Sequence, residues 1–339
     1  MKPVTPHLMA AFVAASIMFA PALSMAQEKP SDFPRRPISL VVAYPAGGAV
    51  DVTARTVADL TQKHNGTQFR VENRVGGAGI AAHTYLAKQA AADGYTIGVI
   101  ANPFLFTDVL LRDASFDIGE FDPIATISFD PVVWLVRTDS DIGGMELPQI
   151  MEHAKTNRLQ VGMNPNSMFL FVSEYLADQQ GVEFNFVPFD GGRQGVTALL
   201  AGDVDATAAF YSEIEQFVRN GDLRAVAVTG DARHPGLPDT PTFPELGVPM
   251  TGQTWGATRF LAVPNDTPED RRNWLAAEFL ATLQSDAAGP AFEAANLRLT
   301  PADEAATKAS YQKTFEELKT FLTSTCLLYT SDAADDTPC

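Results

Sequence analysis

Residues 38–51 read Ile38-Ser39-Leu40-Val41-Val42-Ala43-Tyr44-Pro45-Ala46-Gly47-Gly48-Ala49-Val50-Asp51. The run 38–43, apolar but for Ser39, has the pattern of a strand buried on both faces of a parallel sheet. A loop with two glycines follows at 44–49. Residues 51–63 then read as a helix, with Val52, Ala54, Val57, Ala58 and Leu60 at its apolar positions. Working outward, 68–72 is a short strand, 73–79 a second glycine-rich loop, and 80–92 a helix. Asp93-Gly94 turns into a strand at 95–100, and 101–106 reads as a loop. This βαβαβ run predicts an α/β domain with a largely parallel sheet.

The same grammar continues further along. Residues 122–137 are rich in β-branched and aromatic residues and predict two strands split near Asp130-Pro131. Helices are expected at 146–156, 168–179, 193–201 and 213–220. Strands are expected at 159–162, 183–187, 205–210 and 223–228. Residues 230–250 are Pro-rich and irregular, 255–263 returns to strand, and 268–284 and 302–322 read as helices. Two α/β units therefore lie in tandem, with no close sequence repeat between them.

The whole chain has 339 residues, with 41 Asp plus Glu against 24 Lys plus Arg, a formal charge of −17. Hydrophobic residues make up 46% and charged residues 19%, values of a globular chain with a sizeable core rather than a disordered one. The acidity argues against a nucleic-acid binder, which needs a basic face. Residues 1–26 read as a secretory signal: Lys2, an apolar run at 8–22, and Ser24-Met25-Ala26 before Gln27. The run is short for a span, so the mature protein is expected to be soluble and exported to the periplasm. Residues 326–339 break the helical pattern before them and resemble translated adaptor read-through. Both cysteines, Cys326 and Cys339, lie there, so the body holds no disulfide and no Cys-based zinc site.

In open α/β sheets ligands bind beyond the carboxyl ends of the strands. The loop 44–51 lies there. Its glycines let successive N–H groups point to one spot, and the helix start adds its positive end. Such a loop receives a carboxylate or phosphate without a charged side chain. The alternative is a tight turn in which Asp51 serves the helix N-terminus. Val75-Gly76-Gly77-Ala78-Gly79 follows the same logic; its spacing is not that of a dinucleotide fingerprint, and it lacks the Lys-Ser/Thr of an NTPase loop. In the second unit, Asn164-Pro165-Asn166-Ser167 and Asp190-Gly191-Gly192 hold equivalent positions, as neutral donors or as simple turns. No nucleophile elbow, zinc-binding helix motif or body cysteine is present. His64, His83, His153 and His234 are scattered, without metal-ligand spacing, and are expected at the surface or at helix ends. No cofactor and no metal is expected.

The motifs in order are Arg36-Pro37-Ile38, then Tyr44-Pro45-Ala46-Gly47-Gly48-x-x-Asp51-x-x-Ala54-Arg55 and Val71-Glu72-Asn73-Arg74-x-Gly76-Gly77-Ala78-Gly79. Ala92-Asp93-Gly94-Tyr95-Thr96, Val187-Pro188-Phe189-x-Gly191-Gly192 and Leu199-x-Ala201-Gly202-Asp203-Val204-Asp205 follow. Pro238-Asp239-x-Pro241-Thr242-Phe243-x-Glu245-x-Gly247, Trp255 and Pro264-Asn265-Asp266-Thr267-Pro268 complete the series. In order and spacing this resembles the Bug family, the periplasmic substrate-binding proteins of tripartite tricarboxylate transporters, over about residues 33–322.

The resemblance implies a two-lobed α/β binding protein of the type II, Venus-flytrap class, with two mostly parallel-sheet lobes. Lobe 1 would be 27–138 plus 252–325, and lobe 2 would be 139–251. It implies a monomer that holds a small organic acid through main-chain amides and water and hands it to membrane permease subunits. Carried over by motif, the first-lobe contacts would be Tyr44, Ala46, Gly47, Gly48 and Asp51, with Gly77, Ala78 and Gly79 nearby. The second-lobe contacts would be Asn164, Ser167, Asp190, Gly191 and Gly192. Ala43-Tyr44 replaces a frequent Pro-Phe, the loop before Met168-Phe169-Leu170 lacks the family's His, and Phe189-Asp190 replaces a frequent Tyr-Lys. These departures favour an aromatic acid, or a ligand with an amino group near Asp190, over citrate, and the expected partner is a dicarboxylate, an aromatic acid or an amino acid. A sensory receptor for the same ligand class is the second reading. An exported enzyme using Asp51 and Asp190 as a carboxylate pair is the third, and no base or nucleophile supports it.

Overall fold

The structure is a computed structural model; it describes residues 29–324 apart from Asn166, Asp190, Gly191, Gln253 and Asn296. The expected signal segment and the C-terminal tail lie outside the described residues. The first unit runs β1 (Ile38–Val42), α1 (Ala49–Asn65), β2 (Phe69–Asn73), α2 (Ile80–Lys88), β3 (Thr96–Asn102) and α3 (Phe104–Leu111). A long strand, β4 (Phe121–Arg137), leads to α4 (Leu147–Ala154), β5 (Gln160–Met163), α5 (Met168–Gln180), β6 (Asn185–Pro188) and α6 (Gly192–Ala201). Then come β7 (Ala206–Phe210), α7 (Tyr211–Asn220), β8 (Leu223–Val228), β9 (Gly256–Pro264), α8 (Glu269–Leu283), α9 (Ala288–Ala294) and α10 (Glu304–Ser324). The loop expected at 101–106 is instead the end of β3 followed by α3, whose apolar residues Leu105 and Phe106 are fully buried.

One sheet runs through both lobes in the order β2-β1-β3-β9-β4-β7-β5-β6, with β8 also on β4. The two strands expected in 122–137 are one strand, and what changes near Asp130-Pro131 is its partner. β4 pairs with β9 from Phe121↔Pro264 to Pro131↔Gly256, then with β7 from Val132↔Phe210 and with β8 from Val133↔Val228. A proline removes one ladder donor, so it is tolerated where pairing is interrupted. Pro123 sits beside a register shift, and Pro131 sits where the partner strand changes. This change falls before residue 138, where the first lobe was expected to end. The α/β class stands, but the sheet is mixed. β1–β2, β1–β3, β5–β6 and β5–β7 are parallel, while every pairing of β4 and β9 is antiparallel.

On one face of the first lobe, α1, α8 and α9 bury Val57, Leu60, Trp274, Phe279 and Phe292 against the sheet. α6 and α7 cover the second lobe with Val196, Leu199 and Ile214. The remaining core is continuous between lobes, and α10 spans it. Tyr311 packs on Phe106 and Phe260, and Phe321 packs edge-on against Phe171 and Tyr175 of α5. Among the described residues no helix is long and apolar enough to cross a membrane, and no cluster of His, Cys, Asp and Glu could hold a metal.

Candidate functional site

Strand direction points the candidate loops toward one crossing. β3 and β4 both run antiparallel to β9, so the carboxyl ends of β1, β2, β3 and the first part of β4 lie at one end of their lobe. In the second lobe, Val132↔Phe210, Gly162↔Thr207 and Met163↔Pro188 put the ends of β5, β6 and β7 toward the same crossing. The loops after β1 and β2 thus lie toward the crossing from one lobe, and those after β5 and β6 from the other.

Asp51 organises the first loop. It is 2% exposed, and its carboxylate accepts from the Gly47 N–H at 2.8 Å, from Arg55 Nε and Nη2 at 3.0 Å each, and from Asn73 Nδ2 at 2.9 Å. Asn73 Nδ2 also donates to the Tyr44 carbonyl at 3.0 Å, which ties the second loop to the first. Burial alone would raise the Asp51 pKa; the hydrogen bonds from Arg55, Gly47 and Asn73 outweigh it and hold the carboxyl below its usual range. The side chain is thus turned into its own loop, with each oxygen doubly engaged. Gly47 has φ +84°, a left-handed backbone that glycine adopts without strain. The first N–H groups of α1 have no intrahelical acceptor, the arrangement that lets a helix start receive an anion.

The second loop closes on a buried cluster. Gly79 has φ +118°, and a Cβ there would meet the His83 ring at 3.2 Å and the Tyr44 hydroxyl at 3.3 Å. The Tyr44 hydroxyl is buried and without a partner among the described residues, and its ring packs edge-on against Phe104. Burial, then the Asp108 charge, push its pKa up, with Arg112 opposing. Behind it, fully buried His83 pairs through Nδ1 with Asp108 Oδ2 at 2.7 Å, and Arg112 Nη1 donates to Asp108 Oδ1 at 2.8 Å. The expectation of surface or helix-end histidines holds for His64 and His153 but not for His83 or His234, which are 0% and 6% exposed. Tertiary partners supplied by α3 and by 211–236 made burial of these two possible.

In the second lobe, Asn164 Nδ2 donates to the Phe189 carbonyl at 3.0 Å, joining the loops after β5 and β6. Ser167 stands at the N-cap position of α5 without a capping hydrogen bond from its side chain, and its hydroxyl instead donates back to the Asn164 carbonyl at 2.6 Å. A Cβ at Gly192 would lie 2.7 Å from both Phe169 Cε2 and Glu213 Oε2, so glycine lets α6 start against that ring and carboxylate. Asp190 and Gly191 lie outside the described residues, as does half of the proposed Asp51–Asp190 pair. Glu213 escaped the sequence reading. Burial first, then Asp130, raise its pKa, against the Phe210 N–H, Arg193 and Arg259. Its position at the start of α7, one turn after a predicted strand, was the signal available.

At the crossing, Asp130 and Arg259 are a buried pair at 3.4 Å, their side chains 5% and 4% exposed. Ser212 of the second lobe donates to the same Asp130 oxygen at 2.8 Å. One carboxylate therefore bridges the lobes.

The profile described as the tripartite tricarboxylate transporter family receptor matches residues 53–300. The UPF0065 protein in the gbd 5′ region of Cupriavidus necator is 33% identical over 246 residues, 70% of this chain and 73% of that protein. Protein BugT of Bordetella pertussis is 28% identical over 221 residues, 64% of this chain and 68% of BugT. A TctC solute binding protein from Polaromonas superposes with TM-score 0.76 at 27% identity, over 86% of this chain and 99% of that one. An R. palustris protein solved with adipate gives TM-score 0.72 at 25% identity, over 86% and 98%.

Proposed function

This chain belongs to the tripartite tricarboxylate transporter receptor family, and from that premise we propose that its facing loops close on one small organic carboxylate for delivery to a membrane permease. The carrying observation is the first loop: a helix start and a glycine turn held open by Asp51, Arg55 and Asn73, with main-chain donors and no lysine. An acidic protein can hold an anion this way, because the receptor is a set of oriented N–H dipoles rather than net charge. The adipate-bound neighbour supports a carboxylate ligand here.

Ala46, Gly77 and Ala78 contribute main-chain groups, while Gly47, Gly48 and Gly79, whose N–H groups are held by the Asp51 carboxylate and the Pro45 and Gly76 carbonyls, set the turns. Tyr44 and Asp51 act by shaping the loops, because hydroxyl and carboxylate both face inward. Asn164, Ser167 and Gly192 form the opposing wall. Lobe 1 comprises 27–138 plus 252–325 and lobe 2 comprises 139–251, and the change of β4 partner at Pro131–Val132 lies just before that boundary. The protein works without chemistry, as a monomer, in the periplasm after removal of residues 1–26. Thermal-shift and calorimetric titration of residues 27–325 with malate, adipate, benzoate and glutamate test this. A ligand at a hundred times its Kd stabilises by about 2.7 kcal/mol. Stabilisation by none of the four, and by no other carboxylate in a wider panel, overturns it.

A further inference from the structure

The crossing holds a second concavity, of about 310 Å³, lined by none of the loop residues above. Leu297 and Arg298, which follow α9, form one wall; Tyr211, His234 and Pro235 of the second lobe form the other. His234 stacks on Tyr211 with ring centroids 4.0 Å apart, and its Nδ1 accepts the Gly236 N–H at 3.0 Å. Burial first, then the Arg298 charge, push the imidazole down to about 4, so it is neutral at pH 7. A neutral ring whose Nδ1 accepts carries its proton on Nε2. That Nε2 is buried and has no partner among the described residues. Beside it, Arg298 is half-buried and makes no ion pair among the described residues. Of the neighbouring acids, Asp130 is held by Arg259 and Ser212 and acts on Arg298 through its charge alone, and Glu215 is held by Arg219. Glu293 stands exposed at the rim.

We propose that this crevice is a second ligand position, which takes a small monocarboxylic acid with its carboxylate between the Arg298 guanidinium and the His234 Nε2–H and its apolar body on Leu297, Tyr211 and Pro235. Both groups line the crevice, with no hydrogen-bond or ion-pair partner for either among the described residues, and a buried donor gains most from an ionised acceptor. Glu215 and Glu293 disfavour a second carboxylate, which sets the preference for monoacids over diacids. Because the walls come from both lobes, occupancy biases their relative arrangement and so couples to the loop site.

The test is an NMR titration of the mature chain, labelled at histidine and backbone nitrogen, with benzoate as probe and malate as the diacid control. The His234 signals are assigned by their loss in His234→Gln. Benzoate is expected to shift the His234 ring saturably and to raise its pKa, since an adjacent anion favours imidazolium. Malate is expected to shift it at least about tenfold less effectively. Arg298→Gln is expected to weaken the benzoate response about tenfold or more. No response of His234 in the unmodified chain overturns the proposal, as do benzoate shifts confined to the Gly47 and Gly79 amides or a response that survives Arg298→Gln unchanged. The readout is at His234 itself, so it does not depend on finding the loop ligand.

Discussion

Two carboxylates make opposite use of burial. Asp51 is surrounded by donors that favour its charge, so it ionises below the value of about 3.9 expected of an unfolded chain. Its stabilisation is complete above that value and is lost as pH falls through the folded one. Asp51→Asn is therefore expected to cost about 1–3 kcal/mol at neutral pH, with the difference from the parent shrinking on acidification, read by urea unfolding across pH. Glu213 is half-buried with too few donors, so its folded pKa lies above the unfolded value of about 4.3. The stability tied to its proton is present below that value and lost as pH rises through the folded pKa. Glu213→Gln is accordingly expected to raise stability at neutral pH and to show no gain in acid; a neutral-pH loss would contradict this sign. The Tyr44 hydroxyl is a third buried polar group, lacking a partner among the described residues. Tyr44→Phe should leave carboxylate affinity unchanged in calorimetry.

At the scale of elements, β4 and α10 join the lobes. β4 carries Asp130, which faces Arg259 of its own lobe and Ser212 of the other. Removing one member of a buried pair leaves the other charge uncompensated, so Asp130→Ala is expected to cost about 3–5 kcal/mol in chemical denaturation. α10 inserts Phe321 against Phe171, Tyr175 and Trp255. Phe321→Ala is expected to cost about 3–5 kcal/mol, while deleting 326–339 should change stability by no more than about 0.5 kcal/mol. The alternating elements were legible because strand and helix periods differ and because glycine-rich loops punctuate them. The continuity of β4 was not. A proline in an apolar run reads as a break, and only the sheet reveals that it marks a change of partner.

For the whole molecule, one strand runs through both lobes and the loops after β1, β2, β5 and β6 lie toward its crossing, which is the geometry of a hinge. A ligand that contacts both lobes favours the closed arrangement by its differential affinity. Small-angle scattering of residues 27–325 is expected to show a smaller radius of gyration with a stabilising carboxylate than without. An unchanged radius with saturated ligand would remove closure from the mechanism.

The sequence by itself determined the α/β class, the two units, the family and the loops that could receive an anion, because each is written in local pattern: hydrophobic period, glycine position and motif order. The tertiary structure alone decided what each side chain in those loops does. Asp51 and Tyr44 turn inward because Asn73 and Gly79, distant in sequence, close over them. His234 and Arg298 line one crevice because the chain crosses between the lobes. Contacts between residues far apart in the chain have no period to read, and they decide burial, protonation and partner.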